Sequence, residues 1–204
     1  MTGDNALDLL DWKRRVAELY AYVRGELDPE RAWRRWRAVR DELFRTHPQS
    51  PIAEGNRRSF SGINYFDYDH SARVAAMVDP TEPHSYEIAT SGNSAYTFTR
   101  VGVARFSLAG TDLALEVYWL EGYGGGLFLP FRDATAGDTT YGAGRYLLDT
   151  VKGADLGTDD RGRLILDFNF SYNPSCSYDP RWVCPLAPPP NRLAVPIMAG
   201  ERLA

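Results

Sequence analysis

Lysine is almost missing from this 204-residue chain: Lys13 and Lys152 are the only two, and every other basic side chain is arginine. With 27 acids against 23 bases, the formal net charge is −4 and the pI about 5.4. The positive excess of a dedicated nucleic-acid binder is therefore absent. No apolar run approaches the roughly 20 residues of a membrane span. The stretch MTGDNALDLLDWKRR carries acids before any base and has no apolar h-region. No secretory signal is expected from it, and the expected location is cytoplasmic. Histidine is limited to His47, His70 and His84, and cysteine to Cys176 and Cys184. There is no Gly-x-Ser-x-Gly elbow, no His-Glu-x-x-His, no Walker loop and no complete Gly-x-Gly-x-x-Gly. Wholesale disorder is also excluded, because 44% of the residues are hydrophobic and 13% aromatic. A domain of this size buries roughly 70% of its unfolded surface, so it needs neither disulfide nor metal to fold.

What is present divides into two textures. Residues 6–24 place Leu9, Trp12, Val16, Leu19 and Val23 at three- and four-residue steps, which predicts a helix. Gly25 stops it. Asp28 and Pro29 then supply a cap and a first-turn proline for a second helix, running to about Thr46 with Trp33, Trp36, Val39, Arg40 and Leu43 on one side. His47-Pro48 ends that helix. Arg31, Arg34, Arg35 and Arg37 alternate with Asp28, Glu30, Asp41 and Glu42, the pattern of a solvated face rather than an anion patch. From Phe60 onward short β-branched and aromatic runs are punctuated by Gly, Asp and Pro. Val103–Leu108 and Leu113–Leu120 flank an Ala-Gly-Thr-Asp turn and read as a hairpin. Strands at 94–100, 126–131, about 143–150 and 162–170 extend it to an antiparallel meander. Strand–helix alternation is missing, so a doubly wound fold is excluded. The expected architecture is mainly β with helical additions (α+β): two N-terminal helices in an arm over 1–46, packed on a single antiparallel unit over 47–204. Its sheet is expected to be strongly curved or barrel-like.

The chemistry-bearing residues concentrate late in the chain. On the strand at 162–170, Leu164, Leu166, Phe168 and Phe170 are expected on one face, and Arg163, Ile165, Asp167 and Asn169 on the other. Arg132, Asp133 and Arg145 add charge on neighbouring strands, and Tyr141, Tyr146, Tyr172 and Tyr178 add hydroxyls. An arginine fork suits a ligand's carboxylate or phosphate, and equally Asp133, Asp149 or Asp167 of the chain itself. Asp67, Asp69 and His70 lie too close together, with no distant partner, to be read as a metal site. Gly122 to Gly126 lead into a strand rather than a helix and read as a turn. Cys176 and Cys184 lack the paired spacing of a zinc knuckle. They are expected to be reduced, with Arg181 the one nearby cation in sequence able to activate Cys176.

Several of these runs also resemble a family. Pro130-Phe131-Arg132-Asp133, Thr140 to Tyr146, Asp167-Phe168-Asn169 and Tyr172-Asn173-Pro174-x-Cys176-x-Tyr178 resemble, in that order, a bacterial family known as domain of unknown function 1684. Phe60 to Phe66, Cys184-Pro185-Leu186, Pro190 to Leu193 and Ala199-Gly200-Glu201 fit it too, over roughly residues 33–202. The family implies no reaction. Phe170 departs from it, standing where a smaller residue is expected.

Two main functional readings follow. The first is a small-molecule-binding barrel whose pocket for an anionic ligand is lined by Arg132, Tyr141, Arg145, Asp167, Asn169, Tyr172 and Asn173. The second is an enzyme on overlapping residues. There Asp133 or Asp167 is the base, Tyr141 or Tyr172 the proton donor, Arg145 the oxyanion stabiliser and Cys176 an outside nucleophile. A third reading makes Trp12, Trp33 and Trp36 an interaction surface for another chain. The residues name no cofactor and no metal, and the oligomeric state stays open.

Overall fold

The computed structural model describes residues 3–203, with side chains from residue 5. Helix α1 (Gly3–Gly25) ends at the expected glycine. Helix α2 (Pro29–Thr46) begins where Asp28 accepts hydrogen bonds from the Glu30 and Arg31 amides, and it stops at His47. A single turn, α3 (Glu54–Arg57), leads into the sheet. Trp33, Trp36, Leu43 and Phe44 are buried on the inner face of α2. Outside, Arg31 pairs with Glu26 and Arg34 with Glu30. Such exposed pairs contribute little.

Six antiparallel strands follow: β1 (Arg73–Ala89), β2 (Ala95–Leu108), β3 (Thr111–Leu120), β4 (Gly126–Phe131), β5 (Arg145–Asp149) and β6 (Leu164–Asp167). Their spatial order is β5-β4-β3-β2-β1-β6, a nearly closed, barrel-like sheet. Past β6 the chain turns back onto β5. Tyr146 and Tyr172 exchange both backbone hydrogen bonds, at 2.8 and 3.1 Å. The expected hairpin is β2–β3, and Leu108 pairs with Thr111. The two residues between them, Ala109 and Gly110, have φ of +49° and +79°, the left-handed pair that a type I′ turn requires.

The structure corrects four strand expectations. Strand β1 lacks regular alternation because its register slips between Pro80 and His84, and the sequence reading assigned no strand there. Residues 94–100 and 103–108 are one strand with a bulge. Arg100 pairs with Tyr118 and Gly102 with Val117, leaving Val101 extra. A one-residue bulge flips every later side chain to the other face. Phe98 therefore packs with Tyr118, Phe128 and the helices, while Ala104, Phe106 and Leu108 join Leu115 and Val117 in a second cluster. The strand predicted at 162–170 stops at Asp167, and Phe168–Phe170 form a 3₁₀ turn. Phe168 and Phe170 consequently enter different clusters instead of sharing a face. Phe170 meets Trp36 edge-on, with ring centroids 5.2 Å apart. The tryptophans proposed as an interaction surface also turn inward: Trp33 and Trp36 belong to the first cluster, and Trp12 packs against it.

Candidate functional site

Three polar clusters collect the residues singled out from the sequence. In the first, Arg145 of β5 is almost fully buried. One of its nitrogens, Nη2, donates to Asp133 Oδ1 at 3.2 Å and to the Ile197 carbonyl at 3.0 Å. The other, Nη1, donates to the carbonyls of Ala199 and Glu201. Asp133 Oδ2 accepts from the Ile197 amide at 2.7 Å and from the Thr135 hydroxyl at 2.7 Å. Burial lowers the Arg145 pKa, and Asp133 works against that. This cluster is a clamp on residues 197–201. Its Nη1 and Nη2 are spent on Asp133 and the protein's own carbonyls, and its buried Nε has no hydrogen-bond partner. Arg132 acts through its backbone, donating to the Asn191 carbonyl at 2.9 Å and accepting from Leu193 at 2.7 Å.

The second cluster surrounds Asp167. Its carboxylate accepts from the Asn169 amide at 3.1 Å, Asn169 Nδ2 at 2.8 Å, Tyr68 at 3.3 Å and Arg73 at 3.3 Å. Burial raises its pKa, opposed by the Asn169 and Arg73 donors. Asn169 also exchanges hydrogen bonds with the Asp69 backbone, and its carbonyl accepts from Trp33 Nε1 at 3.0 Å. This cluster fastens α2 and the Asp69 segment to the sheet. Asp69 itself caps the turn at Ser71, as a polar turn residue does. Among the described residues no group of three or more His, Cys, Asp and Glu is placed to hold a metal.

The third cluster is different in kind. Arg40, in the apolar stripe of α2, pairs with the fully buried Glu201 and donates to the Tyr65 hydroxyl at 3.2 Å. Its guanidinium lies 4.6 Å from the Trp36 ring and 5.0 Å from the Tyr172 ring. Glu201 also accepts from the Tyr178 hydroxyl at 2.5 Å and the Asn173 amide at 2.7 Å. Burial works against the Arg40 charge, yet Glu201 and the surrounding phenols hold its pKa well above the ordinary value. Beside this pair opens a cavity of about 80 Å³. Trp12, Val16 and Tyr20 of α1, Arg40 and Phe44 of α2, and Lys152, Tyr172, Asn173 and Tyr178 are among its lining. Two buried polar atoms in that wall have no hydrogen-bond partner: the Tyr20 hydroxyl and Asn173 Oδ1. The Trp36 indole N–H lies near the Tyr20 oxygen without the alignment of a hydrogen bond. An unsatisfied buried polar atom costs about 1–3 kcal/mol, so each such atom calls for an explanation. A larger surface groove, about 300 Å³, runs between α1 and α2, with Arg15, Arg35, Glu18 and Glu42 among its walls.

Of the seven ligand-binding residues expected, then, only Tyr172 and Asn173 reach this cavity. Arg145 and Asp133 form the clamp, and Asp167 and Asn169 the second anchor. Tyr141 lies elsewhere, its hydroxyl 3.8 Å from Cys176 Sγ. Arg181 is not the cation that activates this thiol. It turns to Asp179, the Ser50 carbonyl and the Trp182 ring. Tyr20, Arg40 and Lys152 were missed as site residues. A signal existed for Arg40, a charge inside an otherwise apolar helix stripe.

The molecule is thus a barrel-like antiparallel sheet capped by two helices, with a small cavity at their junction whose mainly apolar lining includes Arg40 and Lys152. Residues 58–202 match the family model described as protein of unknown function (DUF1684), and the chain belongs to that family. The chain is also similar to an uncharacterized protein of Haloarcula marismortui solved by solution NMR. The two are 37% identical, the match covers 82% of this chain and 90% of that one, and the TM-score is 0.59. No curated protein matches the chain. Among the described residues no helix is long and apolar enough to cross a membrane.

Proposed function

We propose that the protein binds a small anionic molecule in the cavity between α1, α2 and the Tyr172–Tyr178 segment. One observation carries this reading: the Tyr20 hydroxyl and Asn173 Oδ1 lie unpartnered in the wall of a cavity whose charged lining residues, Arg40 and Lys152, are both cations. Their carboxylate partners, Glu201 and Asp149, are not among the lining residues. The cavity therefore offers a positive wall, one hydroxyl donor and one amide acceptor. Trp12, Val16 and Phe44 supply apolar contact. About 10–15 Å³ of such space accommodates one water, so a carboxylate or phosphate with a short apolar body suits the volume. A site in the cytoplasm accords with two cysteines that are both free.

Thermal-shift titration with benzoate and with inorganic phosphate tests the reading. A saturable rise in melting temperature for either probe, lost in Asn173→Ala and in Tyr20→Phe, supports it. Equal shifts in wild type and both variants would sink it. Native mass spectrometry of the purified protein then identifies any retained small molecule.

A further inference from the structure

Beside the cavity, whose lining takes in Ser175 and Lys152, Cys176 and Cys184 come together with Tyr141 and Ser91. The β1–β2 turn holds Cys184 in place: its amide donates to Ser91 Oγ at 3.1 Å, and its carbonyl accepts from the Ser91 amide at 2.9 Å. Leu186 continues the pairing onto Ala89. The Cys176 amide faces both sulfurs, and the Tyr141 hydroxyl stands 3.8 Å from Cys176 Sγ. Both thiols are free, Cys176 half-buried and Cys184 buried. The two thiols are thus unequal. The Cys184 thiol, then Ser91 and Tyr141, lower the Cys176 pKa to about 6 against the effect of burial. Cys184, serving as that donor and buried, is pushed up. The more accessible sulfur is the ionised one, and the covered sulfur keeps its proton. This is the division of labour between an attacking and a resolving thiol.

We propose that Cys176 and Cys184 form a reactive dithiol that reduces disulfides of small thiols, with Cys176 attacking and Cys184 resolving. The Cys176 thiolate attacks one sulfur of RS–SR, a Cys176–SR bond forms, the original S–S bond breaks, and RS⁻ leaves and takes a proton from water. Cys184 then releases its proton to solvent and attacks the Cys176 sulfur. The mixed disulfide breaks, and the second RS⁻ leaves and is protonated. Counted from the Cys176 thiolate, the protein loses two electrons and one proton, solvent supplies the second proton, and RS–SR becomes two RSH. The reverse exchange with an excess of small thiol restores the dithiol. The lining of the ligand cavity includes neither cysteine, and Lys152 of that lining interacts with Cys184.

The test incubates the full, reduced chain with bis(2-hydroxyethyl) disulfide and follows intact mass. Wild type is expected to lose two hydrogens and both free thiols. Cys184→Ser is expected to stop at a stable adduct on Cys176, and Cys176→Ser to react at least about tenfold more slowly than wild type. Equal rates for wild type and a folded Cys176→Ser would overturn the proposal, as would an adduct on wild type that never closes. If Cys184→Ser fails to fold, wild type capped at Cys176 by iodoacetamide serves instead. Loss of disulfide formation after selective capping supports the assignment, and capping at Cys184 first refutes it.

Discussion

Arg145 and Arg40 each pair with a buried carboxylate, and each pair reaches the segment from Ile197 to Glu201, yet their surroundings differ. Arg145 directs its terminal nitrogens to Asp133 and three backbone carbonyls. The Arg40–Glu201 pair borders a cavity in which Tyr20 and Asn173 leave polar atoms unpaired. A charge occupied by the protein's own groups holds structure, and a charge beside open space and idle polar atoms is available to a ligand. In the enzyme reading, an oxyanion developing at the Arg145 terminal nitrogens would have to compete with those carbonyls.

The largest expected effect tests the structural half of the comparison. Arg145→Met leaves Asp133 buried without its partner and frees the three carbonyls, so urea denaturation is expected to show a loss of about 3–5 kcal/mol. A loss below about 1 kcal/mol would mean that the clamp does not hold the tail. Next comes Gly200→Ala. Gly200 has φ of +80°, and an added Cβ would sit 2.1 Å from Ser171 Oγ and 2.6 Å from the Ser171 carbonyl. Left-handed strain and overpacking together are expected to cost about 2–4 kcal/mol, read in the same way.

The rule extends to the thiols, where the half-exposed member of a pair is the reactive one. A depressed thiol pKa means that Cys176 is ionised above about pH 6 and protonated below it. Its alkylation by iodoacetamide is therefore expected to be half-maximal near pH 6 and to fall on further acidification. The stabilisation that ionised Cys176 lends the fold is full above the ordinary thiol value of 9 and is lost as pH falls from there through about 6. Tyr141, Tyr146 and Lys152 are the titratable groups facing the pair. A midpoint near the ordinary thiol value of 9 would contradict this assignment. The smallest expected change sharpens the ligand half of the comparison. Tyr20→Phe removes an unpaired hydroxyl, so stability should shift by less than about 0.5 kcal/mol. Affinity for a bound anion should fall by about tenfold, a loss of roughly 1.4 kcal/mol, as measured by calorimetry.

Some of this was legible residue by residue. Gly25, the Asp28-Pro29 cap and His47-Pro48 bound α1 and α2 because helix ends are settled by local backbone chemistry. The Ala109-Gly110 turn is local in the same sense. Strand β1 escaped notice because its register slip between Pro80 and His84 breaks the two-residue alternation. The bulge at Val101 split β2 for a related reason. The site was legible only in part. Tyr172 and Asn173 were named, while Arg132, Arg145, Asp167 and Asn169 proved to be anchors. An arginine among tyrosines and acids looks the same in sequence whether a carbonyl or a ligand will accept its hydrogen bonds.

The sequence by itself determined the helices, the hairpin, the antiparallel class and the family, all carried by short-range patterns. Tertiary structure alone decided which buried charges are saturated. That depends on the tail at 197–201 crossing β5 and α2, and on Ser91 and Tyr141 meeting Cys176 and Cys184. Contacts between residues tens of positions apart leave no period in the chain, because they arise from packing rather than from local backbone preference.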